Sequence, residues 1–95
     1  MQNMEIGQII VKTPKTCGGR ARIAGKRIPV SSIYRWFLRG FEPEDILEKF
    51  DGLTLAEIYA AISYALSNIE EITSEIEKED RLSAEASRGA ASHAA

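Results

Sequence analysis

The chain has 95 residues, of which 44% are hydrophobic and 27% are charged. This composition is typical of one folded domain with a modest core. No apolar stretch reaches roughly 18 residues, which argues against a membrane-spanning helix. A single cysteine excludes an internal disulfide, and one cysteine with one histidine is too few for a zinc site built from these ligands.

The net charge of −2 is divided unevenly along the chain. Residues 1–41 carry eight Lys or Arg and one acidic residue, whereas residues 42–95 carry four Lys or Arg and thirteen acidic residues. This division predicts a basic end that faces nucleic acid and an acidic end that faces a protein partner. The alternative is that the two halves neutralise each other within a monomer or a dimer. Residues 1–7 lack the basic and apolar parts of a signal peptide. The single cysteine fits a reducing compartment, and the protein is expected to be cytoplasmic.

The N-terminal third is predicted to form a short β element. Three consecutive β-branched residues indicate a strand over Gly7–Lys12. Arg20–Ile23 and Lys26–Ile28 are predicted to pair as a basic hairpin, around a tight turn that places Gly25 at positive φ. Pro29 lacks a backbone donor and leads into a helix.

Two short helices are predicted next. The first, Ser31–Arg39, carries a single apolar stripe; Ser31 or Ser32 is expected to cap its start, and Gly40 to follow its end. The second, Pro43–Phe50, has proline at its first position and two acidic residues in its first turn, where the helix dipole favours them.

The third predicted helix is long. Thr54 and Glu57 form a capping box at its start, and apolar residues then recur at steps of three and four as far as Ile76. We therefore expect a helix to about Asp80, roughly 40 Å in length. In a monomer, a straight helix of this length exposes the isoleucines of its second half, and exposed apolar stripes usually mark an interface. The pattern predicts a homodimer whose interface contains Ile69, Ile72 and Ile76.

The last residues have no periodic apolar face. Leu82–Ala95 is rich in Ala, Ser and Gly, and it is predicted to be a flexible tail or a helix that forms only on binding. Residues 1–81 are accordingly assigned to a single domain and residues 82–95 to the tail. The predicted fold class is mostly α (small α+β): a trihelical, helix-turn-helix-like core with a short N-terminal β element and a long C-terminal helix.

About residues 9–66 contain a pattern of several glycines, an Ile-Pro-Val segment before the first helix and a Leu-Thr pair at the start of the long helix. This pattern resembles the small bacterial family called domain of unknown function 433. The matching residues are Cys17, Gly18, Gly19, Ile23, Gly25, Arg27, Ile28, Pro29, Val30, Gly40, Pro43, Glu44, Ile46, Leu53, Thr54 and Ile58. Lys26 departs from the pattern, because the family usually has Thr there. The resemblance implies a winged-helix or homeodomain-like core. It also implies an antitoxin, of a kind often encoded beside a PIN-like ribonuclease toxin.

Duplex DNA is the predicted ligand of the basic half. In a helix-turn-helix unit the third helix would reach base edges, but its first turns lack Arg, Lys, Asn and Gln, so a core role is favoured for it. Arginine forks bind phosphates and guanine edges, which makes the basic residues better candidates. The predicted DNA-binding residues are Arg20, Arg22, Lys26, Arg27, Arg35 and Arg39. The alternative is a solvated surface, or ion pairs with acidic residues such as Glu70, Glu71, Glu75 and Glu77.

The sequence shows no catalytic set. Cys17 has no base close to it in sequence and is expected to be a structural thiol, and no phosphate-binding glycine motif is present. We therefore expect no enzymatic activity, no cofactor and no bound metal. The favoured hypothesis is an antitoxin that binds operator DNA with its folded part and a PIN-like toxin with its acidic C-terminal part. The rival hypothesis is a dimeric protein-interaction module without DNA binding.

Overall fold

The computed structural model describes residues 9–94, with side chains described for residues 9–88. Within these residues two short strands, β1 (Ile10–Val11) and β2 (Arg22–Ile23), precede four helices. The helices are α1 (Val30–Leu38), α2 (Pro43–Leu47), α3 (Leu55–Ser67) and α4 (Ile69–Ala94). The predicted fold class, mostly α with a small N-terminal β element, is confirmed. Among the described helices none has the length and apolarity needed to cross a membrane.

The β element pairs differently from the predicted hairpin. β1 and β2 are antiparallel neighbours, with Ile10 opposite Ile23. The expectation of a strand over Lys26–Ile28 is wrong, although the Ile23 N–H still donates to the Ile28 carbonyl at 3.0 Å. Because Pro29 lacks a backbone donor, this second pairing is limited to a bridge rather than a ladder. The predicted first strand is shorter than expected, and its Gly7 and Gln8 lie outside the described residues.

The turn after β2 confirms the prediction for Gly25, whose φ is +77°. The Lys26 N–H donates to the Ile23 carbonyl at 3.0 Å and closes the turn. A β-carbon built on Gly25 would meet no atom within 4 Å, so backbone conformation rather than space requires glycine here.

α1 begins at Val30, one residue before its predicted start. Its N-cap is Pro29 and no side chain caps it, so the expectation that Ser31 or Ser32 does so is wrong. The extended backbone of Pro29 already sets the entry into the helix, and the Val30 N–H donates to a carbonyl of the β element. Gly40 follows the helix at φ +93°, as its predicted C′ position requires.

α2 and α3 complete a trihelical core with α1. α2 starts at Pro43 as predicted but ends at Leu47, before the predicted end at Phe50. The capping box at the start of α3 is confirmed, with the Thr54 N–H 2.8 Å from Glu57 Oε1 and the Glu57 N–H 3.2 Å from Thr54 Oγ1. α3 packs against both other helices and the strands. The buried apolar residues are Ile9, Ala21, Ile23, Val30, Ile33, Tyr34, Ile46, Leu53, Ile58, Ala60, Ala61, Ile62, Ala65 and Ile72.

The prediction of one continuous helix from Thr54 to Asp80 is wrong, because the chain bends at Asn68. Asn68 has φ −134° and ψ 50°, outside the helical region. Its N–H donates to the Ala65 carbonyl at 3.2 Å, and its own carbonyl accepts from Ile72 at 3.1 Å in the first turn of α4. Its side-chain amide donates to the Tyr64 carbonyl at 3.0 Å, which pairs an acceptor at the end of α3. α4 therefore takes a new direction and packs against α1 and α3.

This bend changes the expected exposure of the isoleucines. Ile72 is fully buried and Ile76 is half-buried against the core, whereas Ile69 is 45% exposed. The expectation that all three are exposed on a monomer is therefore wrong for Ile72 and Ile76, and the burial of these two side chains removes the reason for placing them in a dimer interface. Burial of Ile72 contributes about 1.5–3 kcal/mol to the attachment of α4.

α4 continues past the core. Residues 81–88 are all exposed, and the helical backbone extends to Ala94. The segment predicted as a tail is therefore helical over residues 82–94, while Ala95 lies outside the described residues. A flexible tail and a helix formed on binding both stay predictions for the protein in solution.

Candidate functional site

A left-handed turn fixes the position of Arg20. Cys17, Gly18 and Gly19 have φ values of 53°, 65° and 80°, a region that glycine adopts readily and that costs Cys17 on the order of 1 kcal/mol. The Cys17 carbonyl accepts two hydrogen bonds from Arg20, one from its backbone N–H at 3.2 Å and one from its Nε at 2.8 Å. The turn thus directs the remaining nitrogens of this guanidinium toward α4.

The carboxylate of Glu79 in α4 is the point on which the basic side chains converge. Arg20 Nη1 lies 2.5 Å from Glu79 Oε1, and Ser31 Oγ donates to the same oxygen at 2.9 Å. Arg35 donates to the other oxygen, Oε2, from Nη2 at 3.2 Å and from Nε at 3.4 Å. Ser31 is fully buried, while the side chains of Arg20, Arg35 and Glu79 are about one-third exposed. The three donors come from two separate elements, the left-handed turn and the first half of α1.

Asp80 adds a second carboxylate beside Arg35, with 2.8 Å between Arg35 Nη2 and Asp80 Oδ1. The hydrogen bond that Arg35 donates to Asp80, followed by those it donates to Glu79, raises the pKa of Arg35 above its ordinary value despite the opposing effect of burial. Arg35 Nη2 also donates to the Ile76 carbonyl at 3.3 Å. These contacts join α4 to α1 just after the last apolar residue of α4 that packs on the core.

Two lysines of the basic half also meet carboxylates. Lys26 Nζ lies 2.9 Å from Glu57 Oε1 and 2.7 Å from the Gly52 carbonyl. Burial raises the pKa of Glu57, but the hydrogen bonds from Lys26 and from the Thr54 backbone outweigh it, and the net pKa is below the ordinary value. Lys12 Nζ lies 3.1 Å from Glu71 Oε2, and that contact raises the pKa of Lys12. Charge neutralisation within the chain is thus the observed arrangement for much of the basic half.

The Arg22 side chain donates hydrogen bonds to the turn of the β element. Its Nη1 donates to the Lys26 carbonyl at 3.1 Å and to the Ile23 carbonyl at 3.2 Å, and its Nη2 donates to Thr13 Oγ1 at 2.9 Å. Its Nε is buried without a hydrogen-bond partner among the described residues. Arg22 therefore stabilises the Gly25 turn in this conformation and does not present its fork to an external ligand.

Arg27 and Arg39 are the two predicted DNA-binding residues that are exposed. Within residues 9–88, Arg27 makes neither a side-chain hydrogen bond nor an ion pair. Arg39 lies over an aromatic pair, with its Cζ 4.7 Å from the Trp36 ring centroid, and Lys49 Nζ lies 5.0 Å from the same centroid. Trp36 and Phe41 meet edge to face at 5.1 Å. This second basic surface combines cations with aromatic rings, and Lys49 is a member that the sequence analysis did not identify.

Two cavities adjoin the basic residues. One of about 330 Å³ lies beside Glu79 and is lined by Gly18, Arg20, Glu75, Lys78, Glu79 and Leu82. Glu75 Oε1 is buried there without a partner among the described residues, and burial, then repulsion from Glu71, raises the pKa of Glu75. A shallower cavity of about 280 Å³ is lined by Thr16, Arg22, Gly25, Lys26 and Arg27.

Comparisons with known proteins agree with the resemblance in the sequence. The family model described as "Protein of unknown function (DUF433)" matches residues 10–65, more than half of the chain. The chain belongs to the DUF433 family. A crystal structure of a DUF433 member protein from Anabaena variabilis ATCC 29413 is similar, with 37% sequence identity and a TM-score of 0.68. The similarity covers 74% of this chain and 69% of that chain. No curated protein matches the chain.

The segment that matches the DUF433 family contains the donors of the cluster around Glu79 but not its carboxylates. Arg20, Ser31 and Arg35 lie within residues 10–65, whereas Glu79 and Asp80 lie after them. The carboxylates that cover these donors therefore belong to α4, outside the matched segment.

Ser31, Glu79 and Asp80 were not predicted from the sequence to be members of one cluster. The predicted ion-pair partners were Glu70, Glu71, Glu75 and Glu77, and among the described residues only Glu71 pairs, with Lys12. A signal was present: Ile72, Ile76 and Glu79 follow the same steps of four and three. A carboxylate at the next position of an apolar stripe faces the same neighbour as that stripe, and needs a partner there.

Proposed function

We propose that this chain is the antitoxin of a type II toxin–antitoxin pair, with its partner bound by α4 beyond Asp80 and operator DNA bound by its basic half. Membership of the DUF433 family supports the antitoxin hypothesis through the resemblance described above. The observation that carries the partner hypothesis is the run of exposed residues 81–88 along α4. The proposed partner is a PIN-like ribonuclease, and the proposed location is the bacterial cytoplasm.

The exposed part of α4 is suited to a partner because an isolated helical segment is marginally stable in water. Leu82 is 55% exposed on it, with polar and small residues around it. A groove that covered Leu82 would add apolar burial and would fix the helical conformation. Helix-in-groove binding of this kind is a general mode of peptide recognition.

DNA binding is the second half of the proposal. Arg27 and Arg39 are exposed, and Arg27 borders the shallow cavity at the Gly25 turn. Against this, Arg20, Lys26 and Arg35 meet carboxylates, which removes part of the predicted DNA-binding surface in this conformation. Those ion pairs favour the alternative function, a protein-interaction module without DNA binding. Neither function requires catalysis or a cofactor.

Homodimerisation is also part of the proposal, and it is supported by two exposed apolar residues. Leu66 and Ile69 are 55% and 45% exposed, and they lie on either side of the bend at Asn68. An interface at this bend would replace the predicted one along Ile69, Ile72 and Ile76.

The partner hypothesis is tested by co-expression with the product of the adjacent gene. We expect a PIN-like ribonuclease that co-elutes with the chain and loses activity in the complex. Leu82→Asp is expected to weaken the complex about tenfold, because it places a charge in an apolar contact worth on the order of 1.4 kcal/mol. Ser83→Asp is the control, because it adds the same charge at the next exposed position. Equal effects of the two variants, or no complex with such a nuclease, would contradict the proposal.

A further inference from the structure

We propose that Arg20, Ser31 and Arg35 form a binding site for a phosphate group, and that Glu79 occupies this site in the present conformation as an internal substitute for the ligand. The inference deepens the DNA-binding part of the proposed function, since a backbone phosphate of duplex DNA is the ligand that it names. It concerns an anion site, so it can also be tested with inorganic phosphate, independently of DNA.

The donor geometry carries the inference. Four donor atoms from three side chains converge on one carboxylate: Arg20 Nη1, Ser31 Oγ, and Arg35 Nε and Nη2, at 2.5 to 3.4 Å. Guanidinium forks and a hydroxyl suit the oxygens of a phosphate as well as those of a carboxylate.

The donors are held in place without Glu79. The Cys17 carbonyl fixes Arg20 through its Nε, and the left-handed turn that presents this carbonyl belongs to the N-terminal part of the fold. Ser31 lies in the buried face of α1. Arg35 also contacts the Ile76 carbonyl, which stays in place as long as Ile72 and Ile76 pack on the core. Removal of the Glu79 side chain therefore leaves Arg20 Nη1, Ser31 Oγ and Arg35 Nε as donors, while Arg35 Nη2 keeps its contacts with Asp80 and the Ile76 carbonyl.

The internal carboxylate is replaceable. Its ion pairs are about one-third exposed, and pairs of this kind contribute little to stability. The exposed residues 81–88 begin just beyond it, so only the part of α4 after Ile76 has to move or unwind to vacate the site. Glu75 lines the adjacent cavity, so the proposed phosphate is placed at the position of Glu79 itself, where the donors converge.

The test compares Glu79→Ala with Glu77→Ala, an equal change of charge and size at an exposed position two residues away on the same helix. Inorganic phosphate is expected to raise the melting temperature of Glu79→Ala relative to chloride at equal ionic strength, and to leave Glu77→Ala unchanged. Adding Arg35→Ala to Glu79→Ala is expected to remove the effect. Circular dichroism checks that each variant is folded, and Glu79→Ser, which also vacates the position, serves if the alanine variant is not.

The DNA arm uses a fluorescent duplex from the region upstream of the gene, at low salt. Glu79→Ala is expected to bind it about tenfold more tightly than Glu77→Ala does, the gain from charge-assisted contacts to one further phosphate. Stabilisation by inorganic phosphate with no gain in DNA affinity would support the anion site, assign it to a free phosphate group, and count against the DNA-binding part of the proposed function. If the two variants respond alike to phosphate and bind DNA equally, the inference is overturned. DNA binding by the wild type would in that case still support the proposed function, with Arg27 and Arg39 as the contacting residues.

Discussion

Replacing Ile72 by Ala is expected to lower the free energy of unfolding by about 2–5 kcal/mol. Ile72 is fully buried where α4 packs on the core, so the substitution leaves a cavity that the surroundings fill only in part. Chemical denaturation monitored by circular dichroism measures this change. The loss is large beside the roughly 5–15 kcal/mol that stabilises a typical domain.

Ile69→Ala is the matched control, because Ile69 lies three residues earlier on the same helix and is 45% exposed. It is expected to lower the free energy of unfolding by about 1 kcal/mol, clearly less than Ile72→Ala does, because about half of the Ile69 side chain is already exposed. If Ile72 acted only between two copies, Ile72→Ala would leave the fold intact and change the mass in light scattering from twice 10.5 kDa to 10.5 kDa. That outcome would contradict the packing of α4 on α1 and restore the interface predicted from the sequence.

Replacing Gly25 by Val is expected to destabilise the protein by roughly 1–3 kcal/mol. The φ of +77° is costly for any residue with a β-carbon and most costly for a β-branched one. Because a β-carbon at this position meets no other atom, the effect comes from the backbone alone. Thermal unfolding should show a fall in melting temperature of several degrees.

Gly25→Asn separates strain from other effects of substitution, because asparagine tolerates positive φ better than valine does. We expect Asn to cost clearly less than Val at this position. Equal losses for the two variants would mean that the turn does not depend on positive φ at Gly25.

The N-terminal part of the fold could be predicted from local chemistry. The glycine of the tight turn, the proline that leads into α1, the glycine after α1 and the capping box of α3 each act within a few residues. Such features depend on backbone conformation and on short-range hydrogen bonds, so the sequence specifies them directly. The strand pairing was harder to predict from the sequence, because the left-handed turn separates β1 from β2. The Lys26–Ile28 segment lies nearer to β2 in the sequence and was predicted to be its partner instead.

The bend at Asn68 was missed because the apolar spacing continues across it. The steps of three and four from Leu55 to Ile76 are compatible with one straight helix or with two helices that both pack on α1. A local signal was available: Asn68 followed three residues later by Glu71 is a pattern typical of a helix start. Periodicity alone cannot tell a self-packing helix from an exposed one, since both need the same apolar stripe.

The same bend decides the composition of the candidate site. Four of the predicted basic residues, Arg20, Arg22, Lys26 and Arg35, are engaged within the chain, and two of them meet Glu79. The partners of Arg20 and Arg35 were beyond sequence reasoning, because they depend on the angle at which α4 returns along α1. The charge asymmetry between the halves was visible in the sequence, and internal neutralisation was one of its two stated interpretations.

The most direct test of the proposed function is the binding of the wild-type chain to duplex DNA from upstream of its own gene, over a range of salt concentrations, with and without the adjacent nuclease. The account predicts binding at low salt that weakens as salt rises, with a log–log slope of about −0.9 for each phosphate contacted. Arg27→Ala with Arg39→Ala should weaken the binding and flatten this slope. No binding at low salt, both for the chain alone and for its complex with the nuclease, would contradict the DNA-binding claim and leave a protein-interaction module as the function.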